Sequence, residues 1–303
     1  AYFEGVAKKY KVLPSIEFNT EITRCVFENG RWQLTTATGK SDSADVVIAA
    51  TGVLHYPNTP DIAGLEDFKG ACFHSARWNH DVALDGKRVG VIGTGSTAIQ
   101  ITSALVPKVA KFELFQRTAQ WVMPIENPAY SSEERAAFAA DPTRIFAIRD
   151  EAKRMMTDFI ANAVINADSK EMASIERACL ENLENNVKDP VLREKLRPNY
   201  RAACKRLIFS PDFYDAIQRP NAELVTEGIT RVEAGGVRTA DGRLHELDAL
   251  VLATGFRADR FIRPTLVAGR GGVTLDDVWA DRPIAYLSLS VPGFPDMFLL
   301  NGP

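Results

Sequence analysis

The sequence predicts an α/β fold in three layers, built around parallel strands. Three observations carry that reading. A strand, a glycine-rich turn, a helix and a second strand follow one another between Gly86 and Thr118. The phrase Ala-Thr-Gly closes two other apolar strands, at 50–52 and 253–255. These two phrases bracket the first unit, which sets one domain inside another. Strand, glycine turn and helix in this order make a Rossmann-like, dinucleotide-binding arrangement.

Taken in order, Phe3, Val6, Ala7 and Tyr10 lie at helical spacing and predict a short helix from Tyr2 to Tyr10. Short strands are expected over Ile16–Phe18, Ile22–Phe27 and Trp32–Thr36, with Asn29-Gly30 as a hairpin turn. An apolar strand over Asp45–Ala50 follows, then a loop at Tyr56–Pro60. Beyond the βαβ unit, Pro124–Pro128 makes a bend and Ser131-x-x-Glu134 has the form of a capping box. The chain then reads as helical to about Leu196, broken at Asp141-Pro142 and Asp189-Pro190. Its apolar stripes, Ile145, Ile148, Met155, Phe159 and then Met172, Ile175, Cys179, Leu183, are expected to face a core. A helix near Asp212–Gln218 leads to a β-meander over Leu224-Val225, Ile229–Val232, Val237-Arg238 and Arg243-Leu244. The strand ending at Gly255, a glycine-rich loop at 269–272 and a last strand over Asp296–Leu300 complete the chain.

A length of 303 residues suits about two domains. With 46% hydrophobic and 25% charged residues the chain is neither disordered nor fibrous. A net charge of −3 gives no electrostatic case for nucleic acid or an acidic membrane. No apolar run reaches the roughly 18 residues of a membrane span, and no signal peptide opens the chain. Cys25, Cys72, Cys179 and Cys204 stand far apart, with no CxxC and no histidine at ligand spacing. That argues against a metal site or a redox disulfide and suits a reducing cytoplasm. The expected partner is a small molecule.

Val89-Gly90-Val91-Ile92 has the length and branching of a buried parallel strand, and Gly93-Thr94-Gly95-Ser96-Thr97-Ala98 follows at once. Gly93 permits the tight turn, Gly95 lets the backbone approach a pyrophosphate, and the small Ala98 lets helix and strand pack closely. The helix N-terminus offers free N–H groups to phosphate. On its own GxGxxA also fits an ordinary tight turn, and its place between strand and helix is what favours a dinucleotide. NAD enzymes place Asp or Glu about 20 residues past the glycines. Here Arg117 stands at the end of the second strand with no acid beside it, so NADP(H) is expected over NAD(H). The plain alternative is an arginine that caps the strand end in solvent.

Phe68-x-Gly70-x-x-x-His74-x-x-x-Trp78 resembles the FxGxxxHxxxW signature of Baeyer-Villiger monooxygenases. Gln116-Arg117-Thr118, Cys204-Lys205-Arg206, Phe213-Tyr214, Arg219-Pro220-Asn221 and Ala253-Thr254-Gly255-Phe256 resemble further blocks of that family, in its order. The wording after residue 200 is similar to the branch acting on aryl and cyclic ketones. Asn79, Ala98, Ala119 and Ala222 depart from the usual residues without removing a chemical group.

The resemblance implies FAD and NADPH as cofactors and a two-dinucleotide-binding-domain flavoprotein fold. NADPH would reduce FAD, the reduced flavin would take up O2 as a C4a-peroxide, and this would convert a ketone to an ester or lactone. The resemblance matches Arg206 to the active-site arginine, a permanently charged donor. It matches Lys205 to a lysine that holds the 2′-phosphate together with Arg117 and Thr118. Without the family, Lys205-Arg206 reads as a solvated basic pair. His74 and Trp78 are expected to position the linker rather than touch substrate.

The family's FAD-binding GxGxxG and its C-terminal pocket wall find no counterpart in the sequence. The chain is therefore expected to be an internal piece, holding FAD poorly and inactive alone. Residues 1–52 read as an FAD-domain remnant, 53–256 as an NADP domain with a helical insertion at 131–200, and 257–303 as a return to the FAD domain. Gly52 and Gly255 are the expected hinges. An N- or S-oxygenating flavin monooxygenase shares these folds, but the complete signature discriminates against it. The absent CxxC disfavours a disulfide reductase. A non-catalytic NADP-binding module is the reading from another class.

Overall fold

The computed structural model describes residues 2–126 and 128–303. Ala1, and Asn127 within the bend expected over Pro124–Pro128, lie outside them. The chain forms two compact units, Ala1–Asn58 with Phe256–Pro303, and Thr59–Gly255. Among the described residues no helix is long and apolar enough to cross a membrane.

The first unit opens with helix α1 (Tyr2–Lys9), none of whose residues is buried. Strands β1 (Ile22–Glu28) and β2 (Arg31–Thr36) form the expected hairpin. Asn29 and Gly30 take φ values of 52° and 80°, the left-handed pair that a tight hairpin needs. The strand expected over Ile16–Phe18 does not form. A 3₁₀ turn at Leu13–Ser15 and a left-handed Asn19 bend the chain there, and Ile16 and Phe18 stay exposed. β3 (Ser41–Ala44) pairs with β2, although its polar sequence gives no strand signal, because it is a short edge strand. β4 (Val47–Ala49) ends at the first Ala-Thr-Gly.

The second unit contains β5 (Ala71–His74), β6 (Arg88–Ile92), α2 (Ser96–Leu105), β7 (Lys111–Phe115) and β8 (Val122–Met123). Helices α3 (Ser132–Ala140), α4 (Arg144–Arg154), α5 (Ala161–Ile165), α6 (Lys170–Asn186) and α7 (Pro190–Lys195) follow. Then come β9 (Ile208–Phe209), α8 (Phe213–Ile217), β10 (Ala222–Val225), β11 (Ile229–Glu233), β12 (Gly236–Thr239), β13 (Leu244–Glu246) and β14 (Ala249–Leu252). The first unit resumes with β15 (Leu266–Ala268), α9 (Leu275–Val278) and β16 (Met297–Leu299).

In the first unit the sheet order is β15-β1-β2-β3, and β4 pairs in parallel with β16. Its core centres on Trp32, fully buried, with Nε1 donating to the Pro295 carbonyl at 2.8 Å. In the second unit a five-stranded sheet, ordered β10-β7-β6-β14-β5, is parallel throughout. Alternate residues of its strands face opposite layers. Val89, Val91, Phe112, Leu114 and Val251 pack towards α2, α6 and α8, whereas Ile92, Phe115, Leu250 and Leu252 pack against the antiparallel β11–β13 meander. Helices, parallel sheet and meander are the three layers.

Leu224-Val225 belongs to β10 in the parallel sheet, paired with Leu114 and Phe115, and not to the meander. A two-residue apolar run has no period by which to tell the two apart. Ser131 and Glu134 do form a capping box on α3. The stripe Met172, Ile175, Cys179, Leu183 is buried on α6. The stripe Ile145, Ile148, Met155, Phe159 is exposed instead, because no layer of the unit lies against that face of α4 and the π-type turn after it. Periodicity marks an apolar face but not what covers it.

One buried ionic group joins the meander to the sheet. Glu113 of β7, fully buried, accepts through Oε1 from Lys111 Nζ at 2.6 Å and from His245 Nδ1 on β13 at 2.9 Å. Arg243 lies 3.6 Å from the same oxygen and grips Glu223 of β10 with both arms of its guanidinium. Glu113 Oε2 has no partner among the described residues. Removing one partner of a buried pair strands the other charge, whereas replacing both by apolar groups need not. Because Lys111 still faces Glu113, His245→Phe should cost about 1–3 kcal/mol in urea denaturation, the loss of one hydrogen bond to a buried charged group, and adding Glu113→Leu should recover part of that loss. An additive double variant would show that the two residues are not coupled.

Candidate functional site

Strand β14 lies beside β6 in register, Leu252 opposite Ile92, while α2 carries the chain from β6 to β7 on the other side. The sheet order turns about β6, and such a switch point opens a crevice at the carboxyl ends of the strands. Gly93 sits at its mouth with φ 118°. A Cβ there would lie 2.3 Å from the Ala253 carbonyl oxygen, so both conformation and space demand glycine. Gly93 N–H donates to Phe115 O at 3.2 Å, which ties the turn to the end of β7. Gly95 has nothing within 4 Å of where its Cβ would be, and it begins α2 with no side-chain cap. The first N–H groups of this ten-residue helix, those of Ser96 and Thr97 among them, thus open beside a space a phosphate could fill. Ala98 and Ile99 are buried behind them and seat the helix on the sheet.

Arg117 stands exposed just past β7, followed by half-buried Thr118. Thr94 Oγ1 donates to the Thr118 carbonyl at 2.8 Å, and Gln120 Nε2 donates to Thr94 Oγ1 at 3.3 Å. Tyr200 OH donates to Gln120 Oε1 at 3.1 Å, and Lys205 Nζ lies 4.9 Å from the centre of the Tyr200 ring. Trp121 Nε1 donates to Tyr200 O at 2.8 Å, and β8 and β9 pair in parallel through Val122 and Ile208. Beneath them Trp121 and Ala202 pack with Met172, Ile175 and Cys179 of α6. Segments distant in sequence are thereby fastened side by side, bringing Gly93–Ala98, Arg117, Thr118 and Lys205 together. Arg206 follows Lys205 and is exposed. Among the described residues Arg117, Lys205 and Arg206 form no ion pair with a carboxylate. Gln120 and Tyr200 carry no spacing or motif, so sequence reasoning passes over them.

The Phe68–Trp78 stretch lies at the other edge of the sheet. Phe68 is buried among Ile92, Phe115 and Leu250, and a Cβ on Gly70 would lie 2.5 Å from the Asp248 carbonyl oxygen and 2.6 Å from the Phe68 ring, which keeps that position a glycine. His74 ends β5 and is buried. Its Nδ1 accepts from Ala76 N–H at 3.1 Å, so the ring proton is on Nε2, which donates to the Gly255 carbonyl at 3.0 Å. Trp78 sets its ring edge-on to Phe73, 5.1 Å between centroids. The signature therefore grips the second Ala-Thr-Gly exit, with two strands between it and β7. Gly255, at φ 79°, is the last residue of its unit, and Gly52, at φ 72°, lies inside the first unit.

The four cysteines are free. Burial pushes the Cys25 thiol up to about 11 and the Cys179 thiol up to about 12, which leaves both unreactive.

Burial also lowers the His74 imidazole from its ordinary value, and nearby Arg77 adds to this, against the opposing hydrogen bond to Gly255. A base held neutral in the folded state contributes stability that is present above the ordinary imidazole range, about 6.5, and is lost as pH falls through the folded value. Protonation at Nδ1 removes the acceptor for Ala76 N–H. The protection factor of the Ala76 amide, which removes the intrinsic pH dependence of exchange, should fall once the pH drops through the lowered imidazole value of folded His74. The stability curve of His74→Gln should fall less steeply than wild type in that range, and parallel curves would remove His74 from the account.

Residues 1–261 match the profile of the family described as flavin-binding monooxygenase-like. The whole chain is 45% identical to an uncharacterized monooxygenase of Mycobacterium tuberculosis strain H37Rv, covering 60% of that protein. It is 39% identical to a Baeyer-Villiger monooxygenase of Streptomyces coelicolor, covering 58% of it. The crystal structure of cyclohexanone monooxygenase from Rhodococcus sp. Phi1 bound to NADP+ aligns over the whole chain and 64% of its own, with a TM-score of 0.88 and 31% identity. The chain thus spans about three fifths of the curated relatives it matches. With its parallel sheets in the two-dinucleotide-binding-domain arrangement of cyclohexanone monooxygenase, the chain belongs to the flavin-binding monooxygenase-like family.

Proposed function

We propose that the complete protein is an FAD- and NADPH-dependent Baeyer-Villiger monooxygenase, oxygenating a small ketone with O2 to an ester or lactone in the cytoplasm. In this reading the present chain supplies its NADPH site and its active-site arginine. The observation that carries it is the uncapped α2 N-terminus, joined through Thr94 to Thr118, next to Arg117, and through Gln120 and Tyr200 to Lys205, next to Arg206, with none of the three cations in an ion pair with a carboxylate among the described residues. Cations kept free of acids form a positive field that an anionic ligand enters. The names of the relatives support the same reading.

The residues present fit a phosphorylated dinucleotide, because α2 begins without a side-chain cap and nothing stands within 4 Å of where a Gly95 Cβ would be, which leaves its first N–H groups open. The α2 N-terminus would hold the pyrophosphate, and Arg117, Thr118 and Lys205 the 2′-phosphate. Bound there, NADPH supplies a hydride. Arg206, whose guanidinium keeps its proton, is the residue we assign to stabilising negative charge on the oxygen that attacks the carbonyl. The residues present do not make up a flavin site, since no two glycines stand at GxG spacing before Gly93.

We take residues 53–256 as the NADP domain, with its helical insertion at 131–200, and 1–52 and 257–303 as parts of the flavin domain, with Gly52 and Gly255 as hinges. An N- or S-oxygenating flavin monooxygenase shares the crevice, and the complete Phe68–Trp78 stretch with Arg206 weighs against it.

Arg117→Ala should raise the NADPH dissociation constant about tenfold to a hundredfold while leaving NADH nearly unchanged, as loss of a charged hydrogen bond implies. Equal losses for both nucleotides would refute the 2′-phosphate assignment. In the complete protein Arg206→Ala should abolish ketone oxygenation with NADPH still bound, and retained oxygenation would sink its role.

A further inference from the structure

Tyr200 holds two parts of the nucleotide site at once. Its ring lies under Lys205 Nζ at 4.9 Å, and its hydroxyl donates to Gln120 Oε1 at 3.1 Å. Gln120 passes that contact on to Thr94 in the phosphate turn at 3.3 Å, and Thr94 donates to the carbonyl of Thr118 at 2.8 Å. The backbone of Tyr200 is itself fixed, because its carbonyl accepts from the buried Trp121 indole at 2.8 Å. The side chain is half-buried. Burial raises its phenol above the ordinary value, so the hydroxyl keeps its proton and remains a donor.

A lysine on four rotatable carbons has no preferred direction in solvent, and Lys205 is exposed with no carboxylate to hold it. The face of an aromatic ring attracts an ammonium and limits where it points. We propose that Tyr200 is a positioning residue for recognition of the 2′-phosphate of NADPH. Its ring directs Lys205 and its hydroxyl sets the phosphate turn through Gln120. This rests on the reading of Arg117 and Lys205 as the 2′-phosphate site.

The two functions of the side chain separate by substitution. Tyr200→Phe keeps the ring and loses the hydroxyl, so it loosens Gln120 and the turn, which every adenine nucleotide uses. Tyr200→Leu loses the ring as well, so it frees Lys205, which only a 2′-phosphate uses. Both variants leave the Trp121 indole donating to the residue 200 carbonyl, which holds the backbone.

The test is calorimetric binding of two probes to the 303-residue chain, adenosine 2′,5′-bisphosphate and adenosine 5′-monophosphate. Wild type should bind the bisphosphate more tightly, and Lys205→Ala should lose much of that preference. Tyr200→Leu should lower the preference about two- to fivefold, the range for a cation over an exposed ring. Tyr200→Phe should weaken both probes alike and keep the preference. In Lys205→Ala the further change Tyr200→Leu should leave the preference where it was, because the ring acts through the lysine.

A Tyr200→Leu variant with the wild-type preference, or one additive with Lys205→Ala, would overturn the proposal. So would equal weakening of both probes by Tyr200→Leu alongside a lowered Tm, which is what a merely structural tyrosine gives. If wild type shows no preference, or Lys205→Ala leaves it intact, the underlying 2′-phosphate reading has failed instead.

Discussion

The crevice at the strand ends depends on one close approach, that of the turn after β6 to the carbonyl of Ala253, just past β14. The two strands are hydrogen-bonded in register up to Ile92 and Leu252, and Ala253 N–H continues the ladder to Ile92 O at 2.9 Å. The chain leaving β6 must therefore cross directly over Ala253. Only a residue without Cβ can do so, and at φ 118° only glycine does so without strain. The tight crossing lets α2 start at Ser96, so that Ala98 and Ile99 land on the sheet with no exposed area to speak of. Strand register sets the turn, the turn sets the helix, and the helix end is where we propose that phosphate binds.

The cations reach that site by a different route. Arg117 leaves the end of β7, whereas Lys205 returns only after the whole helical insertion, and closing so long a loop costs entropy. The β8–β9 pair and the cluster of Trp121, Ala202, Met172, Ile175 and Cys179 offset that cost by burying apolar surface where the loop closes. Elsewhere in this unit Arg88, Arg201, Arg238 and Arg243 are each taken up by carboxylates and fasten strands or loops. Those pairs are spent on the scaffold. Among the described residues Arg117, Lys205 and Arg206 form no such pair, a property they share with Arg77, Arg177 and Arg219, and it is the contact chain from Thr94 to Lys205 that sets them apart.

The sequence makes the βαβ unit legible because each level agrees there: an apolar strand, glycines at the turn, a helix with one apolar face. The hairpin at Asn29-Gly30 and the capping box at Ser131 are read for the same reason, a local residue choice with a local consequence. What the sequence hides depends on partners. β3 is a strand because β2 offers it an edge, and β5 because β14 does. Leu224-Val225 joins the parallel sheet because β7 is beside it. Ile145 and Phe159 stay exposed because nothing in the unit meets their face. At the site, Gly93, Gly95 and Arg117 are legible from spacing, while Gln120 and Tyr200 act through hydrogen bonds across the fold and leave no trace in any motif.

The same distinction explains how a signature on β5 can matter to a crevice that opens two strands away. β14 lies between β5 and β6 and is paired to both. On one side Gly93 lies against the carbonyl of Ala253, and on the other His74 donates to the carbonyl of Gly255. The Ala-Thr-Gly exit is thus gripped from both neighbours within three residues. A change at His74 removes the hydrogen bond that holds the Gly255 carbonyl, two residues past the Ala253 against which Gly93 lies. Phe68 and Gly70 act one step earlier, since the Phe68 ring packed over Gly70 and against Leu250 fixes how β5 enters the sheet. Read this way, the signature residues need not touch a ligand to govern the crevice. They set the strand on which its narrowest contact rests.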